Sequence, residues 1–313
     1  MADIPTRAVV NLRRSLLTLR RERSDDMRGR LFNRRLSRIR SSVPKIPELL
    51  VCCARILLEI RQPLPFLFSY ILRKPLTAGL VEFRNGVKVY LSQDRDDLAT
   101  VCAVFFRSTY TGLASRDVVI DVGANIGLFS IYAVKIAGAK KVYAFEPCQE
   151  SLEFLRRNID VNGLSGAVIP FRAAVRGSAP GEYVQFPVTS SPCNSLSDDG
   201  VLACEPVITT TLDQIVKDNG LQWVDYLKID CEGTEYEIIL EMAEPVSDCI
   251  AQIAVEYHAG RQYELIDFLQ SRGFLLTRRW HIHEGIGLLT LRRPAQEKQV
   301  VENTLRKPGE AAV

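Results

Sequence analysis

The chain of 313 residues holds eight cysteines, Cys52, Cys53, Cys102, Cys148, Cys193, Cys204, Cys231 and Cys249, yet it has no Cys-x-x-Cys pair. None stands with a histidine at a spacing that fits a zinc site, so a structural zinc module is excluded. No apolar run follows the first basic residues, as a secretory signal would require. Scattered thiols without a signal fit a reducing, cytoplasmic setting, each expected as a small buried hydrophobe. No uninterrupted stretch approaches the ~20 apolar residues of a membrane-spanning helix. The most apolar segment, Ile46 to Leu72, is interrupted by Arg55, Glu59 and Arg61 and broken by Pro63 and Pro65. There is no internal repeat, and the first forty residues contain no lysine.

What is present is an ordinary globular composition, 47% hydrophobic and 25% charged, large enough for one α/β domain with additions. The net charge of +3 is unevenly spread. Residues 1 to 40 carry twelve arginines and four acids, 12 − 4 = +8, which leaves −5 for the remainder. Leu12, Leu16 and Leu19 stand at helical spacing within this segment. It reads either as a contact with an anionic surface, membrane or nucleic acid, or as a solvated leader. The acids Glu22, Asp25 and Asp26 argue against a transit peptide. Leu80 to Ser92 reads as a hairpin turning at Asn85-Gly86.

From Val118 onward strands and helices alternate. Strands are expected at 118–123, 141–147, 167–175, 224–230 and 250–258, with a possible extra one over "EYVQFPV". Helices are expected at 97–106, 126–137, 150–162, 211–217, 233–243 and 262–271. Two further strands, "GFLLTRRWH" and "GIGLLTLRR", follow without a helix between them. The pattern predicts a mostly parallel sheet covered on both faces, with an antiparallel hairpin at one edge.

The stretch "VVIDVGANIGLFS" places an acid and a glycine turn between a strand and a helix. At that point an open α/β sheet takes its ligand. Gly123 is read as clearing space for a ligand, and Gly127 as letting the helix start close to its strand. Glu146, nineteen residues beyond Gly127, is placed to receive ribose hydroxyls. The spacing is G-x-x-x-G and not the G-x-G-x-x-G of a dinucleotide site. Asp121 adds a negative charge where a pyrophosphate needs none. Both features favour S-adenosylmethionine, which carries an amino group and a sulfonium, over a nicotinamide dinucleotide.

Together with "VYAFEPCQESLEFLRRNIDVN", "TTTLDQIV" and "YLKIDCEGTEYEIIL", this stretch resembles the FkbM-type methyltransferases, over roughly residues 100 to 275. The resemblance implies a Rossmann-like class I S-adenosylmethionine-dependent fold with a seven-stranded sheet. It also implies methyl transfer to a hydroxyl of a sugar, glycolipid or other small molecule. By the same resemblance Asp121, Gly123, Asn125, Gly127, Glu146 and Pro147 match the cofactor motif. The expected layout is a helical extension over residues 1–75, a methyltransferase domain over 76–293 and a tail over 294–313. A peripheral anionic membrane contact through residues 1–72 is an expected partner, and sequence-specific nucleic acid is not. A dinucleotide-dependent oxidoreductase and a noncatalytic binding module are the alternatives.

A hydroxyl is a poor nucleophile until its proton leaves. Asp230, Glu232, Glu256 and His258 converge from the ends of neighbouring strands. Asp230 or His258 is the expected general base, with Glu232 and Glu256 positioning the acceptor. Mg²⁺ held by these carboxylates is a variant of the same chemistry. Lys228 is expected to pair with a neighbour and Glu235 to be a solvated or capping acid. Tyr110 is expected in the core, and His281 and His283 at the surface or the acceptor rim.

Overall fold

The computed structural model describes residues 46–294, apart from 93, 95, 108, 116, 188–203, 232, 259 and 284. The arginine-rich leader, Cys193, Glu232 and nearly all of the tail therefore lie outside the described residues. Two helices come first, α1 (Ile46–Glu59) and α2 (Pro63–Leu72), then the hairpin strands β1 (Leu80–Glu82) and β2 (Lys88–Tyr90). Helix α3 (Asp97–Val101) runs on into a π-helical turn over Cys102–Phe106. The alternating part begins with β3 (Val118–Val122), α4 (Leu128–Lys135), β4 (Lys141–Phe145), α5 (Gln149–Val161) and β5 (Val168–Phe171). Short strands β6 (Ala174–Arg176), β7 (Tyr183–Pro187) and β8 (Cys204–Thr211) lead to α6 (Leu212–Asp218). Then follow β9 (Tyr226–Ile229), α7 (Glu235–Leu240), α8 (Glu244–Asp248), β10 (Gln252–Tyr257), α9 (Gln262–Ser271), β11 (Leu275–His283) and β12 (Ile286–Arg292).

Seven strands form the main sheet in the order β11-β12-β10-β9-β3-β4-β5. The five strands from β10 to β5 are parallel, and β12 runs antiparallel between β10 and β11. This is the expected sheet with its edge hairpin. The chain steps outward from β3 to β5 and then returns to lay β9 on the other side of β3, so the topology reverses between β3 and β9. Successive residues of β3 feed opposite faces. Val119 joins one core cluster, with Phe129 and Leu155, while Ile120 and Val122 join the other, with Leu227 and Val255. Burying both faces is what makes this strand read as a continuous apolar run, and each buried aliphatic side chain contributes about 1.5–3 kcal/mol.

Three local expectations need correction. The strand expected over 167–175 is two strands: β5 closes the main sheet, while β6 pairs with β8 in a separate three-stranded sheet. Pro170, which has no N–H, is tolerated in β5 because that strand forms the edge of the sheet. The helix expected from residue 126 starts at Leu128, because Gly127 sits at φ 87°. The helix expected over 233–243 ends at Leu240, and a separate α8 follows.

The hairpin is joined to the domain by Asn158 of α5 and by Asn162, which caps that helix. Asn158 Nδ2 donates to Tyr90 O at 2.9 Å and its Oδ1 accepts from Tyr90 N at 2.6 Å. Asn162 makes the same pair of bonds with Lys88, at 2.6 and 3.0 Å. Four residues of helix rise ~6 Å and two residues of strand ~6.6 Å, so the two amides meet alternate strand residues. They replace the neighbouring strand that this edge of β2 lacks.

Candidate active site

The strand β3 ends in a turn whose backbone has positive φ at Gly123 (74°), Asn125 (49°) and Gly127 (87°). Asn is among the few non-glycine residues that tolerate this region. The two glycines serve packing more than ligand access. A Cβ on Gly123 would collide with the carbonyl oxygen of Asp230, and one on Gly127 with the side chain of Leu155. So Gly123 lets the turn press against the end of β9, and Gly127 lets α4 start against α5. Gly123 therefore carries a packing constraint beside the ligand role expected of it.

Glu146 follows β4 directly and is 7% exposed. Its Oε2 accepts from Asn125 N at 2.7 Å and its Oε1 from Cys148 N at 2.8 Å. Burial pushes its pKa up to about 7, against the lowering effect of those two hydrogen bonds. Each oxygen keeps one lone pair for a further donor. Pro147, half-buried, and Asn125, exposed, flank it.

Asp121 is fully buried in β3. It accepts from Ser130 Oγ at 2.7 Å and pairs with Lys228 Nζ at 3.1 Å, which stands opposite it in the register of β3 and β9. Asp121 is thus engaged within the fold by Ser130 and Lys228. That lysine pairs with a neighbour, as the sequence led one to expect. Its ammonium also donates to Gly123 O at 2.7 Å and lies 3.6 Å from Asp230 Oδ2. Burial disfavours its charge, but Asp121, Asp230 and Glu256 outweigh this and raise its pKa. A charged lysine thus ties the glycine turn to the rim of the site.

At the rim, ligand-capable atoms of Asp230, Glu256 and His258 all lie within 4.8 Å of one another. Asp230 follows β9, Glu256 is near the end of β10, and His258 follows it. The structure brings these three expected residues together, while Glu232 lies outside the described residues. Tyr110 is buried against Phe129 and its hydroxyl reaches Asp230 Oδ2 at 3.4 Å. Burial, then the charges of Asp230 and Glu256, raise its pKa, so it stays a donor.

Glu235 is not solvated. It is fully buried at the start of α7, and its Oε1 accepts from His258 N at 2.8 Å and lies 3.0 Å from His258 Nδ1. Tyr236 Oη also donates to the carbonyl of His258. Burial acts to raise the pKa of Glu235, but the hydrogen bond with the His258 ring and those from backbone N–H groups, Gly233 and His258 among them, together lower it. A carboxylate can only accept, so Nδ1 carries the hydrogen and Nε2 is left for chemistry, 3.8 Å from Glu256 Oε1. Burial works against a charge on His258, but Glu235, Glu256 and Asp230 raise its pKa overall. The sequence signal for this pair was an acid at the first position of a helix facing the only histidine at a strand end of the parallel sheet. His281 is exposed.

Residues 121–276 match the model of the methyltransferase FkbM domain. This chain belongs to the FkbM methyltransferase family. It is 27% identical to the methyltransferase sdnD of Sordaria araneosa, over 53% of this chain and 76% of that protein. It is 26% identical to the 31-O-demethyl-FK506 methyltransferase FkbM of Streptomyces tacrolimicus, over 52% of this chain and 74% of that protein. It is 43% identical to the tRNA (guanine(37)-N(1))-methyltransferase Trm5b of Methanocaldococcus jannaschii, over 49% of this chain and 40% of that protein. Among solved structures, the methyltransferase FkbM of Methylobacillus flagellatus KT is 19% identical over 61% of this chain and 47% of that chain, with a TM-score of 0.42. FkbM-family membership makes this an S-adenosylmethionine-dependent methyltransferase with the class I fold. The residues fit that cofactor: a buried strand-end carboxylate with free lone pairs suits ribose hydroxyls, and a carboxylate-bearing rim suits a sulfonium.

Proposed function

We propose that this FkbM-family enzyme methylates a hydroxyl oxygen of a small-molecule acceptor, such as a sugar or glycolipid, with His258 as the general base. The observation that carries the reading is the buried Glu235 behind His258 Nδ1, which leaves Nε2 at the rim beside Glu256 and Asp230. When bound, S-adenosylmethionine supplies an electrophilic methyl group. The proton of the acceptor hydroxyl would pass to His258 Nε2. Glu235 stabilises the imidazolium that results, and Glu256 holds the acceptor. Asp230 is the weaker candidate for the base, because Lys228 and the Tyr110 hydroxyl already engage its carboxylate. In this reading Asp121, Gly123, Asn125, Gly127 and Pro147 shape the cofactor turn, and Glu146 receives the ribose hydroxyls.

A metal-assisted variant uses the same three rim residues to hold Mg²⁺ against the acceptor oxygen. Guanine methylation in RNA, as named for Trm5b, is the other variant. The rim acids Asp230 and Glu256 oppose a polyanion there. The test incubates the protein with methyl-labelled S-adenosylmethionine and either a panel of hydroxylated small molecules or bulk tRNA, each with and without a chelator. Label in an ether of a small molecule, insensitive to chelator, supports the proposal. Label in tRNA alone overturns it. Loss with chelator and recovery with Mg²⁺ transfers the role of His258 to metal binding.

A further inference from the structure

Eight of the thirteen large hydrophobic residues that are exposed among the described residues lie between Leu50 and Leu72. They are not scattered. On α1, Leu50, Val51, Leu57 and Leu58 are 47–72% exposed and recur at i, i+1, i+7 and i+8. On α2, Leu64, Phe68, Ile71 and Leu72 are 46–69% exposed and recur at i, i+4, i+7 and i+8. Each set lies on one face of its helix. The opposite faces already have partners: Cys52, Ile56, Ile60 and Phe66 are buried in the core.

The hairpin of helices is firmly mounted, so this exposure is not loose docking. Arg107 donates to Tyr70 Oη at 2.6 Å and to Cys52 Sγ at 3.3 Å. Arg55 donates to Phe106 O at 2.8 Å. Exposed cations stand at the ends of the stripes, with Arg61 between the helices and Arg73 and Lys74 after α2. Immediately before α1 lies the leader with its net charge of +8 over residues 1 to 40. Among the described residues no helix is long and apolar enough to cross a membrane.

We propose that the outer faces of α1 and α2 rest on an anionic lipid bilayer, with the apolar stripes in the headgroup–acyl boundary and the flanking cations on lipid phosphates. Apolar stripes without spanning length, bordered by positive charge, are the features of a helix that lies in an interface. The positive border selects lipid over a second copy of this chain, since two such faces would bring like charges together. This proposal is independent of the acceptor and of the base.

The experiment uses the full chain with two kinds of vesicle, phosphatidylcholine containing 30% phosphatidylglycerol and pure phosphatidylcholine. Cosedimentation is read for the wild type and for Leu58→Glu/Phe68→Glu, whose sites are exposed and whose thermal midpoint should match the wild type. The expected result is binding of the wild type to the anionic vesicles and at least a ~10-fold loss of partition in the double variant. Added salt should weaken wild-type binding. Absence of wild-type binding overturns the proposal. Equal binding by both proteins also overturns it, because the leader would then act alone. A concentration-dependent dimer that the double variant abolishes, without vesicle binding, assigns the face to a second copy instead. Should Leu58→Glu/Phe68→Glu lose its thermal transition, Leu58→Ser/Phe68→Ser replaces it with the same expected outcome.

Discussion

We predict that Glu146, as the proposed acceptor of the ribose hydroxyls, makes a nucleoside's affinity depend on pH even when the nucleoside does not titrate. In the free protein burial holds its pKa at about 7, and ribose hydroxyls donate to its ionised form. Binding is therefore linked to proton release. The direction follows from a raised pKa: affinity is complete well above pH 7 and is lost as the pH falls through 7. With a pKa of about 7 the ionised share is roughly one part in eleven at pH 6 and roughly ten at pH 8. Adenosine, which has no group titrating in that range, should bind on the order of tenfold more weakly at pH 6, a difference of about 1.4 kcal/mol. Calorimetry in two buffers of different ionisation enthalpy should count nearly one proton released at pH 6. Glu146→Ala should bind adenosine ~1.5–3 kcal/mol more weakly and lose the pH dependence. A wild-type dissociation constant that is equal at pH 6 and pH 8 would refute the link between Glu146 and the ribose.

His258→Ala should lower methyl transfer ~10²–10⁴-fold while calorimetry finds cofactor affinity nearly unchanged. Because Glu235 raises the pKa of His258, and only the neutral imidazole accepts a proton, activity should rise with pH. Glu235→Gln should shift that limb of the pH–rate profile to lower pH, and an unshifted limb would remove His258 from the base role. Lys228→Met leaves Asp121 charged and fully buried, so urea denaturation should show a loss of about 3–5 kcal/mol, recovered in large part by adding Asp121→Asn. Gly123→Ala should fail to reach the native fold or lose most of its thermal stability, because its Cβ has no room beside the Asp230 carbonyl. A wild-type melting curve would contradict that packing.

The fold was legible because buried parallel strands announce themselves. Runs such as "VVIDV" and "QIAVEY" are mostly apolar, and the strand ends then fix which residues share a rim. Asp230, Glu256 and His258 came together for that reason alone. The small sheet of β6, β7 and β8 was less legible. Its third strand, "CEPVITTT", is β-branched but alternates with exposed residues, so it looks like irregular chain. The roles of charged residues were harder still. Asp121 and Lys228 face each other only because β3 and β9 are neighbours, and 106 residues of chain separate their strands' contact across Val122 and Lys228. Glu235 begins a helix, where an acid is ordinarily a cap. Only the return of β10 beside it brings a histidine ring to its carboxylate.

The pair Asn158 and Asn162 has a consequence of mechanical kind. Asn158 also donates to Ile126 O, inside the glycine turn, while the hairpin it grips is bonded back to the end of α1 through Arg61 N to Glu82 O and Arg84 N to Glu59 O. A continuous chain of hydrogen bonds thus runs from the outer helices, through the hairpin, to the loop that shapes the cofactor site. The outer helices behave as a bracket and not as a tether. A surface on which they rested would set the heading of the rim, and under the proposed function an acceptor would then be chosen by the height at which its hydroxyl stands as well as by its shape.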